Sequence, residues 1–179
     1  MSTKQNEIRT KRLILRPLAD GDRDAMIRMA KDDRIRQTYM LPDFATSEQE
    51  DAFFRRMKDI SRSDEHFLYG ISLDGALIGM INDCMLDGTE AELGYFISPE
   101  YWGHGYASEA LLALITELFR LGYSRVMTGY FEGNEASRRV MEKCGMHPLE
   151  KEETITYRGK EHRCFYYVLE AKQMENDGC

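Results

Sequence analysis

The stretch Ser98-Pro-Glu-Tyr-Trp-Gly-His-Gly-Tyr-Ala-Ser-Glu109 joins an extended apolar run, Leu93 to Ile97, to a long helical pattern, Ala107 to Arg120. Where a strand ends and a helix begins across a glycine turn, main-chain N–H groups lack partners and the helix dipole favours negative charge. Gly103 and Gly105 remove side chains where a bulky group would approach the main chain, and they tolerate unusual dihedrals. The chemistry this suits is the holding of a phosphate or pyrophosphate. A loop whose glycines only turn the chain fits the same spacing, so spacing alone leaves both readings open. The run has no Gly-Lys-Ser/Thr ending of a nucleotide P-loop and no three-glycine dinucleotide fingerprint.

Other groups with chemical potential lie on either side. Asn134 heads a second helical pattern whose face carries Ser137, Met141 and Cys144, and Asn is a common helix cap. Asp83 and Glu92 stand on neighbouring extended segments, where a surface carboxylate is the plain reading of each. Cys84, Cys144, Cys164 and Cys179 form no Cys-x-x-Cys pair and have no histidines at zinc spacing, which argues for reduced thiols and against a metal site. Cys84 fits a buried thiol better than a nucleophile, since no sequence feature picks out a base for it. His66, His147 and His162 have no special context.

The elements that must position these groups follow from periodicity. Thr10 to Leu18 alternates as a strand that ends near Pro17, and Asp20 is placed to cap a helix bearing Ala25, Met26, Met29 and Ala30. Leu41-Pro42-Asp43-Phe44 interrupts the pattern before a second helix, started by Thr46 or Ser47 and carrying Ala52, Phe53, Met57 and Ile60. Phe67 to Leu73 and Ala76 to Leu86 read as strands joined by Asp74-Gly75, a strong hairpin signal. Asp87-Gly88 turns into Ala91 to Ile97, which completes a meander feeding the glycine loop. Gly122 stops the next helix, Ser124 to Phe131 is a strand, and Gly145 closes the Asn134 helix. Glu153 to Tyr157 and Arg163 to Leu169 read as a hairpin turning at Arg158-Gly159-Lys160, with fraying after Ala171. The result is a mixed α/β chain without repeat or linker, expected as a single domain over residues 1–179 with its core at about 10–170.

A chain of 179 residues can bury a real core, and its 42% apolar and 31% charged content is ordinary for a soluble globular protein. The formal charge of −7 argues against a general nucleic-acid binder and is compatible with a cationic or amine substrate. No apolar run approaches bilayer-spanning length, and the N-terminal residues lack the apolar core of a signal peptide, so neither a membrane partner nor export is expected. A cytoplasmic location is the expectation.

Trp102-Gly103-His104-Gly105-Tyr106-Ala107 resembles the coenzyme A pyrophosphate loop of the GNAT acyltransferases, with Trp102 in the Arg/Gln place, Gly105 in the invariant glycine place and Ala107 last. The Trp, with Tyr-Trp-Gly before it and Ser-Glu-Ala after it, looks like the RimJ/RimL branch, which acetylates protein N-termini. Asn134-Glu-Ala-Ser137-Arg-Arg-Val-Met141-Glu-Lys-Cys-Gly145-Met146 resembles the family's second signature, and the element order matches the GNAT fold. The resemblance implies a central, mostly antiparallel sheet of about seven strands flanked by about four helices. It implies acetyl-CoA as cofactor, with coenzyme A as product. The loop contacts would come from Trp102, Gly103, His104, Gly105, Tyr106, Ala107 and Ser108, with His104 phosphate-side or solvent-facing. Asn134 would contact the pantetheine arm, and the main chain of Phe96, Ile97 and Ser98 would meet the cofactor carbonyl at a splayed strand end.

The implied reaction is direct transfer of an acetyl group to a primary amine: a protein N-terminus, a polyamine or a small amine. Such an amine must lose a proton before it attacks, and the oxyanion that develops needs a donor. Glu92, in Ala-Glu-Leu-Gly-Tyr, resembles the branch's Glu-x-Gly-Tyr segment and is the preferred base, with Asp83 as its rival. Many family members place a Tyr seven residues after the Asn to protonate the leaving thiolate; here that position is Met141, which cannot donate. Ser137 matches the serine proposed as acid in the RimJ/RimL branch, where it could act as acid or only position sulfur or water. Tyr39, Met40 and Phe44 could line an acceptor groove or pack under a loop. Homodimers are common in the branch. A module that binds acyl-CoA without turnover, and a nucleotide-binding regulator, are the competing classes.

Overall fold

The computed structural model describes residues 4–177, so Cys179 lies outside the described residues. In chain order the elements are β1 (Ile8–Arg9), β2 (Ile14–Arg16), α1 (Arg23–Ala30), α2 (Asp33–Arg36), α3 (Ser47–Arg62), β3 (Tyr69–Leu73), β4 (Ala76–Asp87), β5 (Glu90–Ile97), α4 (Tyr106–Arg120), β6 (Arg125–Phe131), α5 (Glu135–Lys143), β7 (His147–Tyr157), β8 (Lys160–Glu170) and α6 (Ala171–Asp177). The strands form one eight-stranded sheet in the order β1-β2-β3-β4-β5-β6-β8-β7. Every neighbouring pair is antiparallel except β5 and β6. A parallel pair needs a crossover, and α4 supplies it.

Alternation along the strands gives the sheet an apolar side chain on each face, and each face carries its own core. One face packs Leu15, Ile71 and Leu93 beneath Leu111, Leu114 and Leu118 of α4 and Met141 of α5. The other packs Met80 and Phe96 against Met26, Ile27 and Met29 of α1 and Phe54 of α3. The β3–β4 hairpin turns at Asp74 and Gly75, with φ of 49° and 86°, and the β7–β8 hairpin at Arg158 and Gly159, with φ of 51° and 73°. Two successive positive φ values are what a two-residue turn needs to follow the strand twist.

The mixed α/β class and the element order agree with the sequence reading, which undercounted the pieces. The eighth strand is the two-residue β1; the added helices are α2, of four residues, and α6, which is helical where fraying was expected. The strand expected from Thr10 is the three-residue β2, which starts at Ile14 because Thr10 N–H donates back to the Leu13 carbonyl at 2.9 Å in a turn. Asp20 does not cap α1: it pairs with Lys58, and Asp22 instead accepts from Ala19 N–H at 2.7 Å and pairs with Arg16. On α3 the buried apolar position is Phe54, while Ala52 is exposed.

Candidate active site

The glycine loop is a left-handed bridge into α4. Gly103 and Gly105 both have φ of 79°, and α4 starts at Tyr106. The first helical bond across this junction runs from Glu109 N–H to the Gly105 carbonyl at 3.1 Å, so the amides of Tyr106, Ala107 and Ser108 have no helical acceptor. A Cβ at Gly103 would meet nothing within 4 Å, and one at Gly105 only Arg12 Nη2 at 3.6 Å. Dihedral angle, not crowding, is what demands glycine at both positions. The Trp102 indole N–H donates to the Ile97 carbonyl at 2.7 Å and ties the loop to the end of β5.

A clamp from the start of the chain holds this loop. The Glu109 carboxylate accepts from Thr10 Oγ1 at 2.6 Å, from Arg12 N–H at 2.8 Å and from Arg12 Nε at 2.7 Å. Arg12 Nη1 donates to the His104 carbonyl at 2.9 Å, and the guanidinium lies 4.5 Å from the Tyr106 ring centroid. Burial raises the Glu109 carboxyl, but the bonds from Thr10 and Arg12 outweigh it and hold the group below its ordinary value. The His104 ring is exposed and stacks on Tyr106, and it does not line the cleft that the rest of the loop borders.

That cleft, of about 740 Å³, passes through a split in the sheet. β5 pairs with β6 only from Glu90 opposite Arg125 to Leu93 opposite Thr128, and then continues to Ile97 along β4 alone. Ser98 N–H donates to the Ile78 carbonyl at 2.7 Å, which fixes which amides face β4. Direction alternates along a strand, so Phe96 N–H also points into β4, while Tyr95 and Ile97 N–H point into the gap. Of Phe96, Ile97 and Ser98, from which main-chain contacts were expected, only Ile97 turns its N–H toward the gap. Ser98 is buried, its hydroxyl donates to Glu100, and it does not line the cleft.

On the α4 side of the split, Asn134 Oδ1 accepts from Ser137 N–H at 3.2 Å and caps α5. Ser137 Oγ is 2.9 Å from the Tyr95 hydroxyl, which also lies 3.3 Å from the Ser137 carbonyl. Burial pushes the Tyr95 phenol up despite its bond to Ser137, so it stays protonated. Met141 is fully buried in the core beneath α4. Thr128, 1% exposed at the point where the strands part, lines the cleft with a hydroxyl that has no partner among the described residues. Tyr95, Thr128 and the Arg12–Glu109 clamp are absent from the sequence reading. The clamp residues are 97 positions apart, and no local pattern marks such a contact.

Glu92 borders the cleft from the opposite face and is 3.6 Å from Lys151 Nζ. Burial raises its carboxyl, Lys151 opposes this, and the net direction is upward. Tyr39, Met40 and Cys84 line the same side. Cys84 is exposed rather than the buried thiol expected; desolvation among its cleft neighbours, with Glu92 and Asp83 adding to it, still pushes its thiol up to about 12, which disfavours a nucleophilic thiolate. Asp83 is elsewhere: it accepts from Phe67 N–H at 2.6 Å, lies 2.9 Å from His66 Nδ1, and borders a separate cavity of about 370 Å³. Phe44 packs on Phe53 at 5.3 Å between ring centroids and borders neither cavity.

Residues 12–147 match the family model described as an acetyltransferase (GNAT) domain. The chain belongs to the GNAT acetyltransferase family. It is an acyltransferase enzyme, similar to the uncharacterized N-acetyltransferase YoaA of Bacillus subtilis, with 32% identity over 143 residues that cover 77% of this chain and 81% of YoaA. Among solved structures it resembles a GNAT-family acetyltransferase from Bacillus anthracis, with a TM-score of 0.79 and 24% identity over 93% of this chain and 99% of that one. It also resembles RimL, the ribosomal L7/L12 alpha-N-protein acetyltransferase, solved in complex with coenzyme A, with a TM-score of 0.80 and 19% identity over 92% of this chain and 97% of RimL. These last two likenesses are of fold. Among the described residues no helix is long and apolar enough to cross a membrane.

Proposed function

We propose that this GNAT enzyme transfers an acetyl group from acetyl-CoA directly to a primary amine, in the manner of the RimJ/RimL branch, with a protein N-terminus as the favoured acceptor. The observation that carries the proposal is the cleft through the split sheet. The unpaired amides at the start of α4 and the Tyr95–Ser137 hydroxyls on one face, with the Glu92 carboxylate on the other, support this reading. The amides of Tyr106 to Ser108 suit a pyrophosphate, and the orphan Thr128 hydroxyl and Asn134 suit the polar arm behind it. RimL, crystallised with coenzyme A, supports the choice of cofactor, and its alpha-N-protein activity supports the choice of acceptor.

The chemistry divides between residues of this chain. Glu92, on the acceptor face, takes the proton that a primary ammonium must lose before its nitrogen can attack the thioester carbon. Ile97 N–H, free in the gap, donates to the oxygen that gains charge as the C–N bond forms. When the C–S bond breaks, the thiolate takes a proton from Ser137, the Tyr95 hydroxyl steadies the serine oxygen by a hydrogen bond across the 2.9 Å contact, and solvent in the open cleft returns the proton to Ser137. A serine alone is a weak acid; a protonated phenol behind it supplies the hydrogen-bond donor that Met141 cannot.

Thiol release from acetyl-CoA, followed across free-amine peptides, polyamines and small amines, tests the reading. Amine-dependent release with a matching acetylated product is expected. Tight acetyl-CoA binding without release on any amine would leave a non-catalytic acyl-CoA module in its place.

A further inference from the structure

On the face of the sheet away from α4, the Lys151 ammonium stands 3.6 Å from Glu92 Oε2 and 3.3 Å from Glu153 Oε1. It also lies 3.9 Å from the centroid of the Tyr166 ring. The Tyr166 hydroxyl donates to Glu153 Oε2 at 2.7 Å, which fixes ring and carboxylate against each other. That bond, with help from Lys151, holds the Glu153 carboxyl below its ordinary value, so it is charged. Gly129 leaves the ring its room, since a Cβ there would come within 2.9 Å of Tyr166. Two carboxylates and an aromatic face around one site are what a primary ammonium binds best. Glu92 and Tyr166 both line the main cleft, so this cage opens into it.

Lys151 enters the cage from an irregular place. β7 pairs with β8 as far as Leu149 opposite Tyr166 and resumes with Glu152 opposite Phe165, which leaves Glu150 and Lys151 as a bulge on the edge strand. A bulge re-aims side chains, and its residues sit outside the ladder. Lys151 can therefore withdraw while the β7–β8 ladder stays whole.

Resting on the acetyl-transfer reading above, we infer that Glu92, Glu153 and Tyr166 form the seat of the acceptor's primary ammonium, and that Lys151 is a tethered competitor that fills this seat until an acceptor displaces it. Displacement brings the incoming ammonium directly to Glu92, the carboxylate that receives its proton. It also removes the neighbouring positive charge that weakens Glu92 as a base.

Lys151→Met keeps the length of the side chain and removes its charge. With spermidine and free-amine trialanine as acceptors at saturating acetyl-CoA, the amine KM is expected to fall about five-fold, roughly what a partly exposed ion pair is worth. The KM for acetyl-CoA is expected to be unchanged. Tyr166→Leu, with Lys151 in place, is expected to raise the amine KM. Lys151→Gln repeats the measurement with a polar side chain, and the melting shift with acetyl-CoA verifies that each variant is folded. An amine KM that stays the same or rises in both Lys151 variants overturns the proposal and leaves acetyl transfer standing. A parent enzyme that binds acetyl-CoA but acetylates no amine overturns the transfer reading, and this seat with it.

Discussion

The Tyr95 hydroxyl lies 2.9 Å from Ser137 Oγ, across the gap between β5 and α5. The two hydroxyls come from different elements, and the Asn134 side chain, by accepting from Ser137 N–H, fixes the serine end of the pair. If the phenol steadies the serine oxygen as the serine gives up its proton, Tyr95→Phe lowers kcat by roughly 10- to 100-fold, near the lower end of what a positioned acid contributes. The KM for acetyl-CoA stays constant, since the phenyl ring remains. Steady-state kinetics with acetyl-CoA varied at fixed amine checks both halves; an unchanged kcat would remove Tyr95 from the proton-transfer step.

Glu92 must be ionised to accept a proton, and burial raises its carboxyl above the ordinary 4.5. The rate therefore falls as the pH drops through that raised value, and the acid limb of kcat/KM lies above the usual carboxylate range. Glu92→Gln is expected to lower kcat by about 100-fold and to abolish this limb. Acetyl-CoA binding, measured by melting shift, is unaffected.

Glu109 behaves oppositely. Its carboxyl is held below the ordinary 4.5, so the stability it contributes is complete above that value and is lost as the pH falls through the depressed folded value. Glu109→Gln keeps the shape and weakens the charged bonds to Thr10 and Arg12, with an expected cost of roughly 1–3 kcal/mol at neutral pH. Thermal melts from neutral to acidic pH then show a smaller acid-induced drop in the variant. Because the same contacts hold the His104 carbonyl and the Tyr106 ring, its acetyl-CoA affinity weakens as well.

Thr128→Val separates a packing role from a binding one. A buried hydroxyl without a partner costs ~1–3 kcal/mol, so replacing it by a methyl group raises the melting point of the free protein. If the hydroxyl meets the cofactor, the further rise on adding acetyl-CoA shrinks at the same time. Differential scanning with and without acetyl-CoA reads both changes from one sample pair.

Local signals in the chain specified much of this architecture. Asp74-Gly75 marked its hairpin because two positive φ values are needed there, and Asn134 marked the start of α5 because a short side-chain acceptor satisfies an orphan amide. Glycine at 105 marked the entry to α4 for the same kind of reason. What local signals do not carry is direction and distance. Whether Phe96 or Ile97 offers its amide to the gap depends on the β4 register, which Ser98 and Ile78 fix through a tertiary bond. Only the resemblance of its segment favours Glu92 over Asp83 along the chain; the fold adds that Asp83 is spent on Phe67 N–H and His66 while Glu92 borders the cleft. The Arg12–Glu109 clamp joins segments with nothing in common until the sheet assembles.

The single parallel pair, with α4 as its crossover, divides the lining of the cleft between the two faces of the sheet. The loop amides, α5 and the Tyr95–Ser137 pair lie on one side of the sheet, whereas the side chains of Tyr39, Glu92, Ile155 and Tyr166 lie on the other. A substitution at Tyr39, Glu92 or Tyr166 is therefore separated by the sheet itself from the glycine loop and α5, and the gap between β5 and β6 is the passage through which the two sides meet in this cleft.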